Sequence, residues 1–273
     1  MRFAFSGVYL ADLSEYERGI EAAARCGYAG VTLSGYRGIR RREPADILSE
    51  DEAQRLAESA RQGGLAVPCL ESHLNLRGFA DLDAFSRLLG VARMLGAPLL
   101  QVRGDAAVLR EACARAQPHG LRLAHLIRHS PDPPGGLEVT RRLIERVDCA
   151  NFGAIWDPQH LFFEGGDYGV TGLRALGDCL FAVSLKDARR FDSPPAEPHF
   201  AFGRGFFAKR PLGEGEVDFV QVFRDLRQVG YEGWRLLKRE RAPHESYPIE
   251  EIARETLAAA RRIARRAQAT TTS

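Results

Sequence analysis

The chain has 273 residues, 45% hydrophobic and 27% charged, enough to bury one large core and close to the roughly 250 residues usual for a single α/β barrel. Its formal charge of +2 balances 38 basic against 36 acidic residues, so no global field marks a nucleic-acid or membrane binder, and a small polar metabolite is the expected partner. Five cysteines (Cys26, Cys69, Cys113, Cys149, Cys179) without a CxxC pair argue against a disulfide framework or zinc site and fit a reducing cytoplasm, while the lack of a charged leader or of roughly 18 consecutive apolar residues argues against secretion and membrane insertion.

In chain order, short apolar runs alternate with segments of helical period, the pattern of βα units around a parallel sheet. Strands are expected at 2–6, 30–34, 65–71, 98–103, 121–126, 153–157, 180–186 and 234–238. Eight of them predict closure into a single (β/α)8 barrel, with residues 1–266 as the domain and 267–273 as a disordered tail. Ser14-x-x-Glu17 and Ser49-x-x-Glu52 both fit a capping box, predicting helix starts after Ser14 and Ser49. A helix over 81–95 carries Leu82, Phe85, Leu88, Leu89 and Val91 on one face, and a last helix follows Glu250. Gly27-Tyr28-Ala29-Gly30-Val31 and Gly230-Tyr231-Glu232-Gly233-Trp234 echo each other as helix-ending glycines that lead into strands. Ser130–Gly136 and Ala188–Gly215 are expected to be long loops, of the kind that form lids or bind ligands.

Chemistry is expected at the carboxyl ends of the strands. The sixth strand ends in Trp156-Asp157-Pro158-Gln159-His160, which presents a carboxylate and an imidazole; Asp before Pro also suits a plain strand-ending turn. Glu71 and His73 close the third strand, Arg103 the fourth, and Arg128 and His129 follow the fifth. The guanidinium groups of Arg103 and Arg128 suit an anionic substituent, and His129 and Glu71 are candidate proton-transfer groups. If Trp234 and Leu236 point inward, alternation turns Lys238 inward as well, where its charge needs a partner, either Asp157 or Glu240. Lys238-Arg239-Glu240-Arg241 could equally be a solvated charge run.

Four motifs follow one another: Trp156-Asp157-Pro158-Gln159-His160, Ser184-Leu185-Lys186-Asp187, Leu212-Gly213-Glu214-Gly215-Glu216 and Gly230-Tyr231-Glu232-Gly233-Trp234. In this order the chain resembles the sugar phosphate isomerase/epimerase family of xylose isomerase-like barrels. The resemblance implies a divalent metal held by a Glu on strand five, the Asp of strand six, the His of strand seven and a Glu on strand eight, polarising a substrate carbonyl during proton transfer. Of these ligands only Asp157 stands here. The others are Leu126 or Ile127, depending on register, then Ser184 and Lys238.

The expectation is therefore no metal and no other cofactor, with the Lys238 ammonium in the electrostatic role of the ion and paired to Asp157. Asp157, Lys238, His129 and Glu71 are then the catalytic candidates; His160, Ser184, Lys186, Arg103, Arg128, His73 and Glu240 are the substrate-binding candidates. The expected function is isomerase-, epimerase- or lyase-like proton transfer beside the carbonyl of a sugar or related hydroxy compound. One alternative is a conventional metal-dependent isomerase or epimerase holding Mn, Mg or Co through Asp157 and His160. Another is a barrel without catalysis that serves as a binding or partner subunit. A homo-oligomer is compatible with the sequence.

Overall fold

The computed structural model describes residues 1–38, 43–130, 135–240 and 246–269. Its strands are β1 (Arg2–Ser6), β2 (Gly30–Thr32), β3 (Leu70–Leu76), β4 (Leu99–Gly104), β5 (Arg122–Leu126), β6 (Phe152–Trp156), β7 (Leu180–Leu185), β8 (Asp187–Phe191), β9 (Phe200–Phe202), β10 (Gly205–Arg210) and β11 (Trp234–Leu237). Its helices are α1 (Leu13–Cys26), α2 (Glu50–Gln62), α3 (Leu82–Met94), α4 (Ala106–Ala116), α5 (Gly136–Val147), α6 (Pro158–Glu164), α7 (Val170–Leu176), α8 (Phe219–Gln228) and α9 (Ile249–Ala269).

Eight parallel strands run in the order β2-β1-β11-β7-β6-β5-β4-β3. Parallel bridges Gly30↔Ala66 and Leu33↔Leu70 join β2 to the segment entering β3 and close the barrel. Period-two alternation sorts the side chains. Ala4, Cys69, Leu99, Ala124, Ile155 and Leu236 meet in one inner cluster, whereas Phe5, Leu100, Leu123, Val183 and Leu237 join the larger cluster beneath the helices. The same sorting resolves the fifth strand: Leu126 belongs to the inner cluster and Ile127 to the outer one. Leu126 is thus the residue that β5 turns inward near its carboxyl end.

Helix starts match the capping logic at Ser49, where the hydroxyl accepts from Glu52 N at 3.2 Å and Glu52 accepts from Ser49 N at 2.7 Å. At α1 the cap is different. Asp12 accepts from Glu15 N at 2.9 Å, and Glu15 reaches back to Ala11 N at 2.6 Å. Ser14 lies inside the helix and donates to Asp12, because a carboxylate two residues earlier is the better acceptor for the exposed amides. Gly27 and Gly230 end α1 and α8 with φ of +81° and +68°, as their echo predicted. The final helix runs through Ala269, so residues 267–269 of the expected tail are helical and 270–273 lie outside the described residues.

The long segment 188–215 is not irregular: β8, β10 and β9 form an antiparallel sheet in that order. Phe200, Phe202 and Phe207 from this sheet pack against Phe162 and Phe163 of α6, so the sheet sits beside the carboxyl ends of β6 and β7. Of the loop 130–136, residues 131–134 lie outside the described residues. No helix among the described residues is long and apolar enough to cross a membrane.

Candidate functional site

The carboxyl ends of the strands gather a network of paired charges. Asp157 follows β6 and caps α6, its Oδ1 accepting from Gln159 N at 3.1 Å and His160 N at 3.3 Å. Its Oδ2 accepts from Ser184 Oγ at 3.0 Å and faces Lys186 Nζ at 3.4 Å. Lys186 also reaches Glu240 at 3.2 Å, and Glu240 is held further by Lys209 of β10 at 2.7 Å and by the Tyr9 hydroxyl at 2.7 Å. Lys238 forms an ion pair with Glu71, whose other oxygen accepts from Ser6 at 2.7 Å and from Thr32.

Alternation does turn Lys238 inward beyond Leu236, as expected, but its direct partner is Glu71 and not Asp157 or Glu240. The reason is strand adjacency: Lys186 leaves β7, the neighbour of β6, and takes Asp157. Ser6 and Thr32 hold Glu71 on the opposite flank of β11. The ammonium role foreseen for one lysine is divided between two.

Burial sets the electrostatics. Glu71, Asp157 and Ser184 are 0% exposed, Lys238 3%, Lys186 4% and His160 6%. Burial pushes the Asp157 carboxyl up, and Lys186 and Lys238 offset part of this. Glu71 also meets a burial penalty, but Lys238 and the hydroxyls outweigh it and hold its pKa low. The same balance favours ionised Glu240, which Lys186 and Lys209 hold well below the carboxylate range against burial. Lys186 loses to burial and gains more from Asp157 and Glu240, so its pKa is raised.

His160 stands in the first turn of α6, and a chain of imidazoles leads outward from it. Lys186 Nζ lies 3.0 Å from His160 Nε2, and His160 Nδ1 lies 2.7 Å from His129 Nδ1. An ammonium has only donors. His160 Nε2 must therefore accept, which puts the His160 proton on Nδ1, makes His129 Nδ1 the next acceptor, and leaves the His129 proton on Nε2. Burial and then Lys186 hold His160 well below its ordinary pKa, and burial with Arg128 lowers His129. Both rings are thus neutral near pH 7. His129 is half-buried, and its Nε2 makes no hydrogen bond among the described residues.

The remaining sequence candidates lie around this network. Arg128 is exposed, and its charge acts on His125, His129 and His160. Arg103 is half-buried and, after burial itself, helps push His125 down to about 4. His73 takes a φ of +56° and meets Gln101 Nε2 at 3.1 Å, so it belongs to the β3–β4 edge. Arg239 is half-buried and Arg241 lies outside the described residues, but Lys238 and Glu240 are not part of a solvated charge run. Asp187 is an organiser of the Gly213–Gly215 turn, accepting from Ala188 N, Gly213 N, Gly215 N and Val217 N at 2.8–3.3 Å. Tyr9, Ser6, Thr32 and Lys209 were not foreseen. Ser6 and Thr32 were findable as polar residues ending β1 and β2, whereas nothing in the sequence around Lys209 places it at the mouth.

The donor set does not fit the divalent ion that the fold family implies. Three carboxylates (Glu71, Asp157, Glu240) are neutralised by three ammonium groups (Lys186, Lys209, Lys238). A dication placed against Asp157 would face two buried lysines. Holding it through Asp157 and His160 would require His160 to give up Lys186 or His129, since both ring nitrogens are engaged. Among the described residues no three His, Cys, Asp or Glu side chains are grouped so as to hold a metal.

Residues 20–263 match the xylose isomerase-like TIM barrel family. The inosose dehydratase of Lactiplantibacillus plantarum is 29% identical over 116 residues, covering 41% of this chain and 38% of that protein, so the matched segment spans well under half of the curated relative. Among solved structures, a xylose isomerase domain protein from Alicyclobacillus acidocaldarius superposes with a TM-score of 0.71 at 18% identity, over 98% of this chain and 99% of that one. D-psicose 3-epimerase from Clostridium cellulolyticum H10, crystallised with D-tagatose, gives a TM-score of 0.71 at 13% identity over 97% and 99%. At these identities the structural likeness is one of fold. Because the family match runs over residues 20–263, nearly the whole closed barrel, the chain belongs to the xylose isomerase-like TIM barrel family.

Proposed function

We propose that the protein is an isomerase-, epimerase- or lyase-like enzyme that moves a proton beside the carbonyl of a small polar metabolite without a divalent metal. The observation that carries this reading is the polar chain Lys186–His160–His129, in which each hydrogen bond has one direction and the last ring is only half-buried. With its proton on Nε2, His129 donates a hydrogen bond to the substrate carbonyl oxygen and stabilises the charge that develops there when the neighbouring carbon loses its proton to solvent, while Lys186 stays charged between Asp157 and Glu240 and holds His160 in place. Between the two proton-transfer candidates, His129 is favoured. Glu71 has both oxygens engaged and no exposure. Lys238 is poorly placed for a Schiff base, because its Nζ is engaged by Glu71 and the side chain is buried away from any approaching carbonyl.

The curated dehydratases and the epimerase fold relatives make sugars, inososes and related hydroxy ketones the substrate class to try first. The test is solvent exchange in D2O with EDTA-treated protein and inosose or D-fructose, read by proton NMR as deuterium entering beside the carbonyl. Exchange that persists without metal and falls at least tenfold in His129→Gln supports the reading; exchange that needs added Mn2+, Mg2+ or Co2+ overturns its metal-free part.

One observation favours a second reading, a barrel that binds without catalysis: the polar groups at the mouth are partnered, and Glu71, Asp157, His160, Lys186 and Lys238 are no more than 6% exposed. Absence of exchange with either probe, with or without metal, would favour it.

A further inference from the structure

We propose that the cavity between α6 and the β9–β10 hairpin, about 700 Å³ in volume, is a binding site for a small aromatic carboxylate. Its lining shares no residue with the network of paired lysines and carboxylates. Its walls are Phe162 and Phe163 from α6 and Phe202 and Phe207 from the hairpin, with Arg190 and Arg204 at the same lining. The Phe162 and Phe207 rings stand edge to face at 5.9 Å, and Phe163 and Phe207 lie 4.8 Å apart.

Charge selects an anion. Arg204 makes no ion pair or hydrogen bond among the described residues, and Arg190 has Asp192 at 3.7 Å with side chains 53% and 97% exposed, a pairing worth little. Glu164, the one acid among the described lining residues, is committed elsewhere: it accepts from Gly136 N at 2.9 and 3.1 Å and from Ser130 N. Among the described lining residues two guanidinium groups therefore stand against one carboxylate, whose oxygens are already taken by backbone amides, and a guanidinium fork matches a carboxylate.

The walls select a flat ring. Phe162 and Phe202, the partly exposed rings of the lining backed by buried Phe163 and Phe207, offer faces and edges to another ring, whereas a polyol would bury hydroxyls against phenyl groups that cannot bond them. Gly165 and Gly203 line the cavity too, and a Cβ at either would meet nothing within 4 Å, so the lining has open space there. The His129 ring stands 4.4 Å from Phe202 and 5.5 Å from Phe163, which puts the ligand next to the outer end of the imidazole chain. That last link to chemistry rests on the proton-transfer reading; the binding site itself does not.

Calorimetric titration of the full chain with 4-hydroxybenzoate tests the site, with D-gluconate as an anion without a ring. The expected result is binding of 4-hydroxybenzoate, weakened about tenfold or more in Arg204→Met, the loss of one charge-assisted hydrogen bond, and weakened also in Phe202→Ala. Arg204 has no partner among the described residues, so its variant tests the site without disturbing the fold. The proposal is overturned by no binding at millimolar 4-hydroxybenzoate, by affinities unchanged in both variants, or by D-gluconate binding as tightly. Because binding is read without turnover, a failed exchange experiment leaves this result standing, and the converse holds as well.

Discussion

Replacing Lys238 with methionine removes the ammonium from a carboxylate that has no exposure to water. Glu71 keeps its bonds from Ser6 and Thr32, but two hydroxyls do not neutralise a buried charge. Removing one partner of a buried pair costs about 3–5 kcal/mol, a large part of the roughly 5–15 kcal/mol that holds a folded domain together. The double variant Lys238→Met/Glu71→Gln should recover most of the loss, since a neutral amide still bonds both hydroxyls and leaves no unpaired charge. Urea unfolding of the wild type, both single variants and the double variant supplies the cycle. The pH dependence provides a second check. In the wild type Glu71 is held low, so its contribution is present above the ordinary carboxyl range and is lost as pH falls through its folded value. In Lys238→Met burial, opposed only by the Ser6 and Thr32 hydroxyls, raises Glu71, so the penalty should be small in acid and grow as pH rises toward neutrality. A loss below about 1 kcal/mol at neutral pH, or a double variant no more stable than Lys238→Met, would refute the buried-pair account.

Other outcomes follow from the same geometry. Added Mn2+, Mg2+ or Co2+ should leave the melting temperature unchanged, because three ammonium groups already neutralise the three carboxylates; a clear metal-dependent rise would restore an ion at Asp157. Gly215→Ala should destabilise by about 1–3 kcal/mol, since its Cβ would press on the Asp187 carboxylate and the Ala188 carbonyl, whereas Gly90→Ala, mid-helix in α3 with nothing within 4 Å, should stabilise by about 0.5–1 kcal/mol. Chemical denaturation of both variants decides the pair. Asp12→Ala should cost about 1 kcal/mol in thermal or urea unfolding, and Ser14→Ala much less, because the carboxylate and not the hydroxyl caps α1; equal losses would restore the Ser14 cap.

Much of the barrel was legible because its signals are local. Each of the expected parallel strands overlaps an observed one, since apolar runs bounded by glycine and polar residues repeat at βα spacing. The Ser49 cap was readable from four residues, and the α1 cap was misread only because two acceptors, Asp12 and Ser14, lie within one turn. The small sheet β8–β10 was taken for loop: its strands of 3–6 residues are short, carry charges, are separated by Pro194, Pro195 and Pro198 between β8 and β9, and pack against Phe162 and Phe163 of α6.

The residues that would carry the site divide in the same way. By itself the sequence determined the fold class and placed Ser184 and Lys238 where the family resemblance implies ligands, but it left the fifth strand between Leu126 and Ile127 and the inward turn of Lys238 conditional on Trp234 and Leu236, because alternation along a strand assigns faces only once the register is known. Only the tertiary structure decided that Lys238 takes Glu71, that Lys186 takes Asp157 and Glu240, and that His160 meets His129. Partners 26 to 167 residues apart in the chain are chosen by which strand ends are neighbours around the closed barrel, and a buried charge must pair with whatever opposite charge that closure brings within reach.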